Sequence, residues 1–340
     1  MTNTKYITVL SVIACVFVIM LHSYTLGFEE TSDWILERFI RGIAYCAVPI
    51  FFMISGATLI DYRERYDTKT FFKKRLLKTV LPLILWSIIY FVVKIIRGKI
   101  DTNNMDFRYI VDWFINIRMN SVFWFLVVII GIYLCIPVIS LIPKENRQKA
   151  FLYIIILSFI TISFLPLVFR LARIDYNNDL RFPLTATGWI MFIFIGYYIS
   201  HYDINLYGRI TIYSLGLIGY LLFTVGTIIW SYHKHEYMNY FDEYTNVPCL
   251  LFSSAFFLLF KNIKFASKVG NGIFKVSKFI APTTLGIYII HMLIKDEIIL
   301  TFWQLNGFWG DTLLVFVILI PSFIIVKLIK LIPYSNYVFP

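Results

Sequence analysis

Charge is what this sequence has least of. Only 15% of its 340 residues are Asp, Glu, Lys or Arg, against about 25% in ordinary soluble domains, while 59% are hydrophobic. A chain so poor in charge cannot clothe a globular surface, which excludes a soluble organisation. Metal-ligand patterns are lacking as well. The four cysteines (Cys15, Cys46, Cys135, Cys249) all fall inside apolar runs, with no CxxC pair and no histidine at ligand spacing. As small packing residues of lipid-spanning helices they predict neither a disulfide nor a metal site. His233 and His235 are two residues apart, on different faces of any helix, and read as surface residues. No GxSxG turn is present, which removes a serine nucleophile on a hydrolase elbow. Repeats and low-complexity tracts are also missing, so residues 1–340 read as a single transmembrane domain with no soluble domain.

Long apolar runs are what the chain does have. Ten windows near 6–24, 38–60, 76–97, 121–142, 150–170, 184–201, 209–230, 247–260, 284–302 and 312–331 have span-like length or nearly so. The fold class expected is all-α, a polytopic bundle of about ten transmembrane helices. With the N-terminus in the cytosol, 19 of the 31 Lys and Arg fall on that side: Lys5 and those within 63–78, 144–149, 209, 261–278 and 327–330. The outer bases are largely matched by Glu29, Glu30, Asp33, Glu37, Asp101, Asp106, Asp112, Asp175 and Asp179. That asymmetry predicts both termini in the cytosol and gives the net charge of +11 a topological source, with no nucleic-acid partner required.

Three features of the spans and connectors bear on function. The first span, Ile7 to Tyr24, carries a single ionisable side chain, His22, near its outer end. Ionisable groups inside membrane helices usually face protein or water and mark sites; the structural alternative is a histidine at headgroup level or hydrogen-bonded to a neighbouring helix. The basic-aromatic stretch DYRERYDTKTFFKKRLLK reads as an interfacial helix whose bases suit phosphates, or as a topology signal meeting anionic lipid. On the outer side, Trp113 sits among charged residues, and LARIDYNNDLRFP crowds Arg173, Asp175 and Arg181. Such loops suit a polyhydroxylated ligand as readily as a solvated ion-pair surface.

Four stretches, in chain order, together resemble the bacterial membrane-bound acyltransferase 3 family, which O-acylates cell-surface sugars. They are LSVIACVFVIMLHSY, VPIFFMISGATLI followed by KKRLLKTVLPLILW, FWFLVVIIGIYLCIPVI, and LGIYIIHMLI. The resemblance implies an integral O-acyltransferase of the bacterial cytoplasmic membrane. It would move a short acyl group, acetyl above all, from cytosolic acyl-CoA to a hydroxyl of a surface polysaccharide or lipid-linked sugar, alongside polysaccharide synthesis or export machinery. No permanently bound cofactor is expected, acyl-CoA being a co-substrate. His22 matches the family's histidine and fits a general base, since an imidazole in apolar surroundings stays neutral and able to accept a proton. His291, Ser55, Trp124 and Tyr288 would support or orient the acyl group; Lys74, Arg75, Lys78 and Ser11 would meet the donor; Trp113, Arg173, Asp175 and Arg181 would meet the acceptor. His291 also has a structural alternative, a helix–helix hydrogen bond.

Two departures from the family pattern stand out. An arginine eleven residues before the histidine is replaced by Ser11, a position about 20° from the same helix face and some 16 Å toward the cytosol. Val122 and Phe123 stand where a histidine precedes the tryptophan of the fourth helix. Either Lys74 and Arg75 hold the donor in place of that arginine, or the activity is lost or changed. A membrane transporter or exporter of polysaccharide or small solute is the alternative reading.

The orientation is directly testable. Single cysteines at Lys69 and Lys264 should react with a membrane-impermeant maleimide only after the membrane is opened, whereas cysteines at Asn103 and Asn178 should react in intact cells. Labelling of position 69 from outside overturns the orientation and the side assigned to the donor.

Overall fold

The computed structural model describes residues 4–24, 27–100, 102, 105–299, 302–333 and 335–339. Asp101, Asn103 and positions 300–301 of the ninth expected span lie outside them. All regular structure among the described residues is helical: α1 (Lys5–Ser23), α2 (Ser32–Ala44), α3 (Ala47–Leu59), α4 (Thr68–Ile96), α5 (Phe107–Ile115), α6 (Trp124–Ile139), α7 (Lys144–Ser158), α8 (Leu165–Leu171), α9 (Trp189–His201), α10 (Leu206–Leu221), α11 (Thr227–Lys234), α12 (Val247–Asn262), α13 (Lys268–Ile280), α14 (Thr284–Met292) and α15 (Gly307–Ile329). Merged where they run on, these give eight helices long and apolar enough to cross a membrane, and α9 and α12 are two shorter apolar ones. The chain is a polytopic all-helical membrane protein. Helical spans are what a bilayer demands, because lipid offers no partner for an unpaired N–H or C=O.

Short polar side chains in the connectors start the helices. Thr31 accepts from Trp34 N at 3.1 Å, Asp67 from Thr70 N at 2.9 Å, Asn205 from Gly208 N at 2.8 Å and Ser267 from Gly270 N at 3.0 Å. Those from Thr70 hold the exposed Asp67 carboxyl below its ordinary range. Among the described residues, three wide π-helical turns interrupt the spans, at Phe159–Phe164, Leu222–Gly226 and Leu293–Ile299.

Where the structure departs from the sequence reading, the reason is capping. The basic stretch after Asp61 is not a separate interfacial helix. After a 3₁₀ turn at Tyr62–Glu64, Asp67 caps a single 29-residue helix that carries the bases in its first turns and runs on through the apolar span. The ninth span is preceded by α13 and a 3₁₀ turn at Ala281–Thr283, while the short eighth window runs past Lys261 to Asn262, one of the two outcomes its length allowed.

The chain divides into two compact units. The first comprises Met1–Asp61, Val138–Ala281 and Leu305–Phe316. Its tightest packing is α3 on α9, where glycine removes the side chain from both sides. A Cβ on Gly56 would overlap the Ile193 carbonyl, and one on Gly196 the Met53 backbone. Tyr6 of α1 hydrogen-bonds Ser200 at 2.9 Å and meets Phe257 edge-on at 5.7 Å, tying α1 to α9 and α12.

The second unit comprises Tyr62–Pro137, Pro282–Gln304 and Val317–Pro340. Ile84, Ile88, Val92 and Ile96, four apart along α4, form its exposed apolar stripe. On the inward side Tyr90 donates to Ile289 O at 2.9 Å and Trp86 to Val338 O at 3.1 Å.

The glycine contact generates a stability prediction. Gly56→Ala and Gly196→Ala should each cost at least the ~1–3 kcal/mol typical of overpacking, because backbone cannot move aside as a side chain can. Gly131→Ala, a helical position whose added Cβ meets nothing within 4 Å, should be neutral or stabilising. Thermal unfolding of the purified protein in detergent distinguishes them, and equal midpoints for all three would refute the contact.

Candidate active site

His22 occupies the last turn of α1 and is half-buried. What surrounds that helix end is a layer of buried charge. Glu37, Arg38 and Arg41 of α2 are 3%, 2% and 4% exposed. Arg41 donates through Nη1 to the Leu21 carbonyl at 2.8 Å, on the residue just before His22. Arg38 lies 3.9 Å from Glu37 and over the rings of Trp34 and Tyr237, at 5.0 and 5.5 Å. The Glu37 carboxyl meets that of Asp311, at the start of α15. Beside it Tyr24 shares a hydrogen bond with Thr312 at 3.1 Å. Tyr237, which donates to the Asp242 carboxylate, closes the layer from the 235–246 connector, and burial with that negative neighbour pushes its phenol up.

The sequence reading missed this layer by counting the α2 charges as outer counter-ions. A signal was present in the spacing. Trp34, Glu37, Arg38 and Arg41 recur at three- and four-residue intervals, whereas Leu36, Phe39 and Ile43 on the other face are exposed. The helix is amphipathic with its polar stripe inward and its apolar residues outward, as a membrane-embedded element requires. Buried charges cost several kcal/mol each unless paired, so four of them around one helix end are an expensive arrangement.

A second polar cluster of the same unit was also missed. Arg147, assigned as a cytosolic surface base, is 5% exposed. It donates to Ile142 O at 2.8 Å, to Ser140 O at 2.9 Å, to the Tyr197 hydroxyl at 3.1 Å and to the Asp61 carboxylate. His201 Nε2 meets the other Asp61 oxygen at 3.1 Å, and its ring stacks on Tyr197 at 4.0 Å. These bonds make the Arg–Asp–His–Tyr group a latch joining the ends of α3, α7 and α9.

The remaining candidates divide between the units. In the first, Ser11 donates to Thr8 O at 2.9 Å and Ser55 to Phe51 O at 3.1 Å, each spent within its own helix. Arg173 and Asp175 are exposed, and Arg181 is half-buried. In the second, Lys74 and Lys78 are exposed, with Lys74 over the Tyr66 ring at 4.2 Å. Arg75 turns inward to the Tyr133 hydroxyl, leaving a shielded Nε with no acceptor. Trp113 packs between Phe91 and Tyr109, both at 5.8 Å.

His291 is fully buried, and its Nδ1 lies 2.6 Å from the Tyr288 carbonyl. A carbonyl only accepts, so Nδ1 carries the proton and Nε2 is the basic nitrogen. Tyr288 in turn donates to Val122 O, and Trp124 meets Phe125 edge-on at 6.3 Å. Among the described residues no group of three or more His, Cys, Asp or Glu is placed to hold a metal ion.

Compared with family profiles, the chain matches one described as an acyltransferase domain, over residues 4–331. No curated protein and no solved structure matches it. Because that match takes in the histidine-bearing α1, the charged α2 and the α14 histidine alike, the chain belongs to the acyltransferase 3 family and is a multi-pass membrane acyltransferase.

Proposed function

We propose that the protein is an O-acyltransferase of the bacterial cytoplasmic membrane. It takes a short acyl group, acetyl above all, from acyl-CoA and delivers it to a hydroxyl of a surface polysaccharide or lipid-linked sugar. The observation that carries this reading is the seat of His22, at a helix end clamped by the buried Arg41–Leu21 carbonyl bond. A general base must be held in place, and a side chain on a clamped helix terminus meets that need better than one on a loop.

In the reaction His22 accepts the proton of the acceptor hydroxyl as its oxygen attacks the thioester carbonyl. The tetrahedral intermediate collapses with cleavage of the C–S bond, and the thiolate leaves and takes up a proton. Donor phosphates fit the first turns of α4, where Arg75 offers a shielded Nε lacking an acceptor, flanked by the exposed Lys74 and Lys78. With the Ser11 hydroxyl spent on Thr8 O, the anionic end of the donor is assigned to this trio.

His22→Ala should abolish acylation while the protein stays folded and inserted. Removing a positioned general base typically costs 10²–10⁴-fold in rate, roughly 3–5 kcal/mol, against ~0.6 kcal/mol for losing one interhelical hydrogen bond. Mass spectrometry of the surface glycan is the readout, and unchanged acylation sinks the mechanism. A glycan never acylated in the wild type, whose export nonetheless fails without the gene, favours a transporter. Neutralising Lys74 and Arg75 together should raise the acyl-CoA requirement while acceptor dependence stays nearly constant, and no change moves the phosphate site elsewhere.

A further inference from the structure

Within the second unit, a cavity of about 310 Å³ opens where the end of α4, the start of α6 and the wide turn after α14 meet. Its lining is polar and carries both signs of charge: Lys94 and Lys99, Asp296 and Glu297, with Asn120 and Tyr90 between them. None of these residues has a part in the chemistry assigned above.

Asn120 is the informative member. It is only 7% exposed, and its Oδ1 accepts from Val122 N at 3.2 Å, capping the turn that leads into α6. That bond aims the amide nitrogen at Tyr90, whose hydroxyl already donates to Ile289 O and accepts from Leu293 N, both at 2.9 Å. The Asn120 nitrogen approaches that hydroxyl without reaching hydrogen-bond geometry. A buried donor left in this state is destabilising, and a hydroxyl placed in the cavity satisfies it.

The acids set the ligand class. Glu297 is 7% exposed and has Lys99 at 2.8 Å and Arg97 at 3.9 Å, so it serves as an acceptor without presenting a bare negative field. Asp296 has Lys295 at 3.9 Å. Carboxylates repel a phosphate, and a lining with two bases and two acids gives a strong cation or anion little net attraction. Fixed acceptors, a fixed amide donor and an aromatic ring are instead the groups that read vicinal hydroxyls. The volume stands at the low end of small-molecule sites, ~300–1,000 Å³, enough for a sugar ring and too little for a nucleotide-bearing thioester. The wide turn Leu293–Ile299 supplies both acids, and turns of this kind recur at functional sites.

We propose that this cavity is a carbohydrate subsite taking one neutral, pyranose-sized polyhydroxylated unit, with Asn120 donating to it and Asp296 and Glu297 accepting from it. The proposal rests on the O-acyltransferase reading, for which it supplies a grip on the acceptor.

The test uses the full chain in lipid nanodiscs free of glycoside detergent, carrying Met292→Cys at the cavity wall and Cys135→Ser. Alkylation of position 292 is timed with methyl glucoside, methyl N-acetylglucosaminide, maltose or coenzyme A present. At least one saccharide should slow it saturably, and Asn120→Leu or Asp296→Asn should raise the half-protecting concentration about tenfold. Asp296 is half-exposed, so its amide variant keeps the test valid if Asn120→Leu fails to fold. Octyl glucoside beside methyl glucoside separates a lipid-tailed sugar from a free one, and protection by either supports the subsite. No saccharide protection, protection indifferent to both variants, or stronger protection by coenzyme A overturns it. Protection without acyl transfer leaves the subsite standing and fells the enzyme mechanism. Transfer without protection does the reverse.

Discussion

Where α3 crosses α9 the two backbones touch, and much of the first unit is arranged by that contact. Gly56 faces the Ile193 carbonyl and Gly196 the Met53 backbone, so neither helix can slide or turn without a clash. In lipid no hydrophobic effect drives helices together, and close approach of backbones with its dispersion gain is what replaces it. One consequence lies at the end of α3, where Asp61 meets Arg147 and His201. The other lies at its start, where α3 follows α2 through a break at Tyr45–Cys46 and thereby fixes the depth of the buried α2 charges.

Those charges give the His22 region its character. Low dielectric strengthens every interaction around a reacting group and also punishes every unpaired one. Arg38 and Glu37 balance each other, Arg41 is held by a carbonyl, and Asp311 faces Glu37. A purely structural bundle of this size has no need of such a layer, because apolar residues of equal volume would pack the same space at lower cost.

Much of this was legible in the sequence. Apolar run lengths located the spans, since bilayer thickness fixes their length, and the ordered motifs located the family. His22 drew attention because it is the one histidine of an apolar run, and that run is helix α1 with His22 in its last turn. The α2 layer was not read, because a charge near the end of a span looks alike whether it faces water or protein. Arg147 escaped for the same reason: adjacent lysines made it look like a topology signal, and only three-dimensional closure with Asp61 reveals its burial. Asn120 was invisible to sequence, for an amide at a helix start reads as a cap and nothing in the pattern shows that its nitrogen remains unspent.

The wide turns carry a meaning for how this chain lines up with its relatives. A π turn holds one residue more than the α turn it replaces, as an insertion of a single residue into an ordinary helix would leave it. Three of them lie inside the spans, at Phe159–Phe164, Leu222–Gly226 and Leu293–Ile299. Any comparison that forbids gaps within transmembrane helices will therefore slip by one position at each. His291 lies just ahead of the last of these turns and Asp296 and Glu297 within it, so a histidine matched in register does not guarantee that the acids beyond it are matched as well.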